Sequence, residues 1–225
     1  MQTTLTPDQL AGYTSRQLNT FFPDGSDVAP GALLAAVGGA LERMDYCFSR
    51  SRLESYFRGG QAHFDHLYSD QYLMYLWFVA NELWKRGADK RVIYKVYLLN
   101  KSLHAFDCAW DTKLPEIFMV IHGVGTVLGK GEFSDFFVIY QGCTVGQTQG
   151  RYPKFGRGAG LGAGAAVIGS CELADHASVG AGCTLINTSV PSGKSAFRDA
   201  EGRLQFSEGR PGAIATRCFQ DKYLF

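Results

Sequence analysis

The densest group of side chains able to bind an anion lies in a short loop of this sequence. Between Val145 and Phe155 the chain reads GQTQGRYPK, a stretch that carries Arg151, Tyr152 and Lys154. A guanidinium and an ammonium are cationic donors, and a phenol hydroxyl is a further donor, so the loop is suited to gripping an anion. The alternative is a solvated surface loop whose charges bind no ligand.

Two histidines have the spacing of metal ligands, but no second group of ligands accompanies them. His63 and His66 lie in HFDH, and a surface or junction role fits them better than a metal site. The cysteines are scattered: Cys47, Cys108, Cys143, Cys171, Cys183 and Cys218. The sequence therefore predicts no metal, and the cysteines are expected to be buried, reduced thiols of a cytoplasmic protein.

The loop interrupts a six-residue repeat. From Phe155 the hexapeptides read FGRGAG, LGAGAA, VIGSCE, LADHAS, VGAGCT and LINTSV. Neither a helix nor a flat strand has a period of six, which is typical of a parallel β-helix whose coils have three flat sides. The large first positions are expected to face inward: Phe155, Leu161, Val167, Leu173, Val179 and Leu185. The small fifth positions are expected near the axis: Ala159, Ala165, Cys171, Ala177, Cys183 and Ser189. Upstream, the same register selects Ile121, Val127, Phe133, Ile139 and Val145.

Helical spacing precedes the repeat. Apolar residues recur at helical intervals over 30–50, 70–86 and 89–106, and residues 7–21 favour a further short helix. The sequence therefore predicts an α+β chain with a helical N-terminal half at 1–106 and a left-handed parallel β-helix at 107–191. A C-terminal tail at 192–225 has no assigned structure.

Composition excludes some partners. The net charge of +1 and a pI near 7.6 give no reason to expect nucleic acid. No segment approaches the ~20 apolar residues of a membrane span, and the N-terminus lacks the basic and apolar regions of a signal peptide. We therefore expect a cytoplasmic protein without a membrane partner.

Three segments resemble one family of enzymes. They are HGVGTVLG (122–129), GCTVGQTQGRYPKFG (142–156) and LGAGAAVIG (161–169), and they follow ANELWKRG (80–87). In this order they are similar to the motifs of serine O-acetyltransferases, a resemblance that covers roughly 64–191. The repeat alone would indicate only an acyltransferase with an open choice of acceptor.

The resemblance implies direct transfer of acetyl from acetyl-CoA to a serine hydroxyl. An unaided hydroxyl is too weak a nucleophile at neutral pH, and an imidazole is a natural base. His122 matches the family's catalytic histidine. A carboxylate is needed to hold the ring, and the family's spacing selects Asp107, with Asp111 as the alternative.

Further roles follow from the same resemblance. Arg151 matches the arginine that binds the carboxylate of the amino acid, and Tyr152 stands beside it. CoA is expected to contact Thr148 and the coil backbone around Ala163 and Ala181. The expected partners are thus a small-molecule acceptor and acetyl-CoA, with no metal.

The chain departs from the family pattern at several positions. The aspartate that precedes the catalytic histidine is Ile121 here, and the histidine after the loop arginine is Tyr152. A lysine that the family offers to CoA falls on Ser178. The chain ends in YLF, not in the isoleucine with which many members enter a sulfhydrylase, so that partnership is doubtful.

Two other functions and an assembly remain open at this point. An amino sugar or related metabolite could be the acceptor, or the chain could be a catalytically silent oligomeric relative. The flat faces of a three-sided coil predict a homotrimer or a dimer of trimers, with the active site in the groove between copies.

Overall fold

Helices build the N-terminal half of the computed structural model, which describes residues 1–207 and 211–225. The predicted tail therefore includes three positions, 208–210, that lie outside the described residues. The helices are α1 (Pro7–Phe21), α2 (Gly31–Phe48), α3 (Ser69–Lys85) and α4 (Lys90–His104), followed in the tail by the short helices α5 (Ala215–Cys218) and α6 (Asp221–Leu224). The four long helices coincide with the four predicted segments.

Helix α3 forms the centre of the helical half. Its residues from Asp70 to Leu83 are all buried, and it packs against both α2 and α4. A helix that is buried on all sides belongs to the interior of a domain. Helix α3 also contacts β4, the first strand of the repeat region, which spans Phe118–Ile121. Helix α3 therefore connects the helical core to the repeat.

Sixteen short strands lie in the described ranges, 1–207 and 211–225. Three form a small sheet in the order β1-β3-β2: β1 (Gln2–Thr3), β2 (Phe57–Arg58) and β3 (Gln61–Phe64). The repeat region contains β4 (Phe118–Ile121), β5 (Val127–Leu128), β6 (Glu132–Phe133), β7 (Phe137–Tyr140), β8 (Thr144–Gly146), β9 (Lys154–Phe155), β10 (Gly160–Leu161), β11 (Ala166–Ile168), β12 (Glu172–Leu173), β13 (Ser178–Val179) and β14 (Thr184–Ile186). The tail adds β15 (Ser195–Arg198) and β16 (Leu204–Ser207).

The repeat region is a parallel coil with three sides. Side one contains β4, β7, β10, β13 and β15, with β16 antiparallel at its edge; side two contains β5, β8, β11 and β14; side three contains β6, β9 and β12. Each strand pairs in parallel with the strand one coil away. The predicted fold class, a helical half followed by a parallel β-helix, is confirmed.

The inward column is as predicted from Phe155 to Leu185. All six first-position side chains are buried, and five of the six fifth positions are buried beside them. The exception is Ser189, which is exposed because the last coil is one residue shorter and turns Val190 inward opposite Leu173. A column of apolar side chains thus runs along the axis of the coil.

The predicted register is wrong in the first coil. Val120 pairs with Ile139, and Ile121 pairs with Tyr140. On side two Leu128 is fully buried opposite Val145, whereas Val127 is 45% exposed. The reason is the longer corner between β4 and β5, which places the inward residues Val120 and Leu128 eight positions apart instead of six.

The described part of the tail contacts both halves of the chain, and on the coil side Phe219 packs against Phe136. The Ser51 hydroxyl donates to the Cys218 carbonyl, Arg52 donates to the Thr216 carbonyl, and the Gln220 amide donates to the Ser51 carbonyl. Phe219 is fully buried. The tail therefore joins the end of α2 to the outside of the coil.

All six cysteines are buried and unpaired, as expected. Within 1–207 and 211–225, no helix has the length and apolar character to cross a bilayer. The same residues contain no cluster of three or more histidine, cysteine or acidic side chains able to hold a metal ion.

His104 makes the stability of the helical half depend on pH. Its Nδ1 lies 2.8 Å from Oδ1 of Asn100 at the end of α4. Burial lowers the pKa of the His104 ring from 6.5 to about 4, although the contact with Asn100 opposes the shift. As pH falls, the unfolded chain gains this proton before the folded chain does. The stability that the neutral ring provides is therefore complete above about pH 6.5 and is lost towards pH 4.

We expect His104→Gln to flatten this dependence. Between pH 7 and pH 5 the wild type loses about 2 kcal/mol of unfolding free energy through this ring, a loss that the variant lacks. Urea unfolding of both proteins at the two pH values and one protein concentration measures the difference. The comparison cancels the contribution of the carboxylates, and equal pH slopes would contradict the prediction.

Candidate functional site

His122 lies at the first corner of the coil, directly after β4. Its backbone is in the left-handed region, with φ 53°, which non-glycine residues adopt rarely. The His122 backbone N–H donates to Oδ2 of Asp70 over 2.9 Å, and Nδ1 of the ring lies 3.5 Å from the same oxygen. The imidazole is 69% exposed, whereas the Asp70 side chain is only 9% exposed. A buried carboxylate thus holds both the corner and one edge of an accessible imidazole.

Asp70 is a site residue that the sequence analysis missed. It lies in the first turn of α3, where acidic residues are common because they complement the helix dipole. The sequence gives it no motif and places it 52 positions before His122. Only its burial and its contact with His122 distinguish it, and both need the folded chain.

Neither predicted partner of the histidine contacts it within the chain. Asp107 accepts hydrogen bonds from the Tyr97 hydroxyl (2.6 Å) and from Nζ of Lys101 (2.7 Å), both on α4. Partial burial opposes ionisation, but these two donors hold the pKa of the Asp107 carboxyl below its usual value. Asp111 pairs with Lys130 over 2.7 Å. Within the chain, Asp107 is paired with Lys101 and Asp111 with Lys130. The carboxylate that lies beside His122 is that of Asp70 instead.

The predicted anion-binding loop leaves the coil between β8 and β9. Backbone hydrogen bonds in both directions between Thr148 and Arg151 close it into a turn. The Arg151 side chain is exposed, and no hydrogen bond or ion pair of that side chain occurs within the described part of the chain. Tyr152 lines an open groove of about 450 Å³ together with Trp84 and Lys130. The loop therefore leaves the coil, and the Arg151 side chain is exposed.

The histidine and the loop arginine occupy opposite ends of side two. His122 precedes β5 at one corner, whereas the loop follows β8 at the next corner. The strand rise separates these corners by on the order of 15 Å. A single chain therefore does not bring His122 and Arg151 to one small acceptor.

A second groove, of about 420 Å³, contains two of the predicted CoA contacts. Ala163 and Ala181 line it, and Thr148 does not. Among the lining residues that were not predicted are Tyr140, Ser178, Ile214 and Arg217. Half of these come from the unassigned tail, so sequence reasoning had no means to place them here.

This groove runs along the corner that carries His122. Tyr140 pairs with Ile121, the residue next to His122, and therefore lies one coil away from it. Ala163 follows β10 in the next coil, and Ala181 follows β13 in the one after that. At the usual strand spacing of ~4.8 Å, the groove leads over roughly 14 Å from Ala181 to the imidazole. A long, thin ligand in the groove would end at His122.

Comparisons with known proteins point to one family. No protein-family model matches the chain. Over 99 residues it is 33% identical to a serine acetyltransferase of Synechococcus elongatus, covering 42% of this chain and 40% of the relative. Over 152 residues it is 30% identical to a serine acetyltransferase of Salmonella typhimurium, covering 64% of this chain and 53% of the relative. The chain thus spans about half the length, or less, of these curated relatives.

Solved structures agree on the fold. The serine acetyltransferase of Neisseria gonorrhoeae superposes with a TM-score of 0.69 at 18% identity, covering 91% of this chain and 79% of that one. The enzyme of Brucella abortus in complex with coenzyme A gives 0.66 at 20% identity, covering 92% and 84%. The resemblance of this chain to the serine O-acetyltransferase family is confirmed.

Proposed function

We propose that this chain is an acetyl-CoA-dependent O-acetyltransferase that acts on serine or a serine-like small amino acid. The observation that carries the proposal is the accessible imidazole of His122, held by Asp70 at the end of a groove long enough for an extended thioester donor. The curated relatives, all serine acetyltransferases, support the same reaction.

Transfer is direct, without a covalent enzyme intermediate. Nδ1 of His122 faces Asp70, which leaves Nε2 to take the proton of the acceptor hydroxyl. The acceptor oxygen then attacks the thioester carbonyl, and the C–S bond breaks. The imidazolium returns its proton to the departing CoA thiolate. Asp70 favours the charged ring during this cycle because its carboxylate lies beside it.

The donor binds along the second groove. A relative from Brucella abortus was solved in complex with coenzyme A. In this chain Ala163 and Ala181 line the second groove, and the direction of that groove supports a thioester delivered to His122. Thr148 lies outside this groove and contacts the donor only if a neighbouring copy presents its loop.

The acceptor is held by Arg151 and Tyr152. A guanidinium can grip a carboxylate with two parallel hydrogen bonds, and the tyrosine hydroxyl can donate a further one. A relative from Neisseria gonorrhoeae was solved in complex with serine. Tyr152, where the family has histidine, makes the choice of acceptor side chain the feature on which this chain differs most.

A complete site requires a second copy of the chain. We propose a homotrimer, alone or as a dimer of trimers, in which the loop of one copy meets the His122 corner of the next. The separation of the two corners along side two supports this arrangement, and closed symmetry repeats it at each interface. The six unpaired cysteines are compatible with work in the cytoplasm.

A thiol-release assay tests the function. We expect acetyl-CoA to be consumed with L-serine, and more slowly or not at all with D-serine, homoserine and amino-sugar nucleotides. Mass spectrometry of the product distinguishes an O-acetyl ester from an amide. Turnover with an amino sugar alone would make a sugar acetyltransferase the better assignment. If the protein binds CoA but none of the acceptors in the panel causes thiol release, the proposal of an amino-acid acceptor is contradicted.

A further inference from the structure

The groove beside the acceptor loop has room for more than the side chain of serine. It has a volume of about 450 Å³, and its lining includes Trp84 and Tyr152. We call it the Trp84 groove. Pockets of ~300–1,000 Å³ hold ligands of drug size, whereas the side chain of serine is a hydroxymethyl group. An acceptor as small as serine therefore leaves most of the Trp84 groove unfilled.

The Trp84 groove adjoins the loop that carries Arg151. Tyr152, the next residue, lines the groove, and Gly131 lines it as well. A Cβ on Gly131 would lie 2.9 Å from the carbonyl oxygen of Pro153, so the loop packs against this part of the groove with no space for a side chain. Because Arg151 precedes a lining residue, an acceptor that it holds lies beside the groove.

Trp84 differs from the other two tryptophans of the chain, Trp77 and Trp110. Each of those rings packs against another aromatic ring, with centroids 5.3 and 4.6 Å apart. Trp84 is 43% exposed at the end of α3, and within 1–207 and 211–225 its indole contacts no other ring and donates no hydrogen bond. Tyr152 is 46% exposed. The groove is thus lined by two accessible aromatic rings, and such rings bind the face or edge of another ring.

The charges that line the Trp84 groove largely compensate each other. Lys130 pairs with Asp111 over 2.7 Å, and Glu132 pairs with Lys154 over 3.1 Å. Lys113 is the remaining charged residue of the lining, and its ammonium forms no ion pair in the described ranges. With most of its charges paired, the groove offers chiefly its two rings for recognition.

We propose that the Trp84 groove binds the substituent on the β-carbon of the acceptor, and that this substituent is an aromatic ring. The inference rests on the proposed function and names the acceptor class of that site: β-hydroxy-α-amino acids with an aryl group on the carbon that carries the hydroxyl. Arg151 holds the carboxylate, His122 of the next copy faces the hydroxyl, and the ring lies against Trp84 and Tyr152.

The reaction is the same as with serine. The hydroxyl oxygen forms an ester bond to the acetyl carbon as the C–S bond of acetyl-CoA breaks. The hydroxyl proton passes to the imidazole and then to the CoA thiolate. The aromatic ring takes no part in these steps, and it improves only the binding and orientation of the acceptor.

Steady-state kinetics with a series of acceptors tests the class. At saturating acetyl-CoA, kcat/KM is measured for L-serine, L-threonine and both diastereomers of L-3-phenylserine, and mass spectrometry identifies the O-acetyl ester. We expect one phenylserine diastereomer to exceed L-serine by about 10-fold or more, because its ring is buried and packs against other rings. L-Threonine should stay within about 4-fold of L-serine, the effect of one buried methyl group.

Variants test the assignment to Trp84. Trp84→Ala should lower the ratio of kcat/KM for phenylserine to that for L-serine by about 10-fold, whereas Trp84→Phe, which keeps a ring, should retain most of the ratio. Phe21→Ala is the matched control, because it removes a ring that is 47% exposed at the end of α1, outside the groove. It should leave the ratio unchanged. Circular dichroism verifies that each variant keeps its fold.

The outcomes separate this inference from the proposed function. Wild type that acetylates L-serine at least as well as both phenylserine diastereomers would overturn the inference and leave the function standing. A ratio that is unchanged in Trp84→Ala, whether or not both values fall, would overturn the assignment of the ring to the groove. Wild type that binds CoA but acetylates no amino acid of the series would overturn the proposed function and the inference with it.

Discussion

Replacing His122 with alanine is expected to lower kcat by about 10²- to 10⁴-fold, the usual contribution of a general base. Affinity for CoA should change little, because the groove is lined by residues of other coils. Steady-state kinetics with saturating acetyl-CoA, together with calorimetry for CoA, measure the two effects separately. A variant that keeps wild-type kcat would show that the imidazole is not the base.

Replacing each candidate aspartate by asparagine identifies the carboxylate that orients the His122 imidazole. Asp70→Asn keeps the shape of the side chain but removes the charge beside Nδ1, and we expect kcat to fall by about 10- to 100-fold with both KM values nearly unchanged. Asp107→Asn and Asp111→Asn are matched controls, because their carboxylates face lysines instead. If kcat fell severely in Asp107→Asn or Asp111→Asn but not in Asp70→Asn, the partner of His122 would be the aspartate that the sequence predicted.

The repeat could be predicted because its physical rule is local. Each inward position from Phe155 to Leu185 must fill the same space between three sides, so the sequence repeats the same residue sizes. The loop between Val145 and Phe155 could also be predicted, since the extra residues cannot lie on a flat side of the coil. The rule failed at Ile121 and Val127, where a longer corner shifts the register and the pattern gives no warning.

The parts of the site that escaped prediction depend on distant contacts. Asp70 reaches His122 only because α3 packs its first turn against the coil. Ile214 and Arg217 reach the groove only because the tail folds back over side one and is fixed by Ser51 and Arg52. No periodicity or local motif encodes such contacts.

The same limit applies to the departures from the family pattern. Ile121 removes a charge next to the histidine in sequence, yet Asp70 supplies one from another element at 3.5 Å. The Ile121 substitution considered alone therefore overstates the loss of negative charge beside His122. Tyr152 lines a groove with Trp84, Asp111 and Lys130, and under the proposed function it is the position at which we expect the choice of acceptor to change.

Arg151→Ala is expected to raise the KM for the acceptor by about 10²-fold while leaving that for acetyl-CoA nearly unchanged. The arginine offers a carboxylate two charge-assisted hydrogen bonds, and each is worth more than a neutral one. Lys154→Ala is the matched control, because its ammonium pairs with Glu132 over 3.1 Å. Unchanged acceptor kinetics in Arg151→Ala would remove the argument for a carboxylate and favour an amino-sugar acceptor.

Mixing this variant with His122→Ala tests whether each site combines two chains. If His122 of one copy works with Arg151 of the next, random mixed trimers contain both intact residues at about one quarter of their sites. Coexpressed variants, assayed at low acceptor concentration, should then recover about that fraction of wild-type activity, although each variant alone is nearly inactive. Two variants purified separately and mixed without exchange of subunits provide the control. If every site lay within one chain, no mixed trimer would hold an intact site and coexpression would restore nothing.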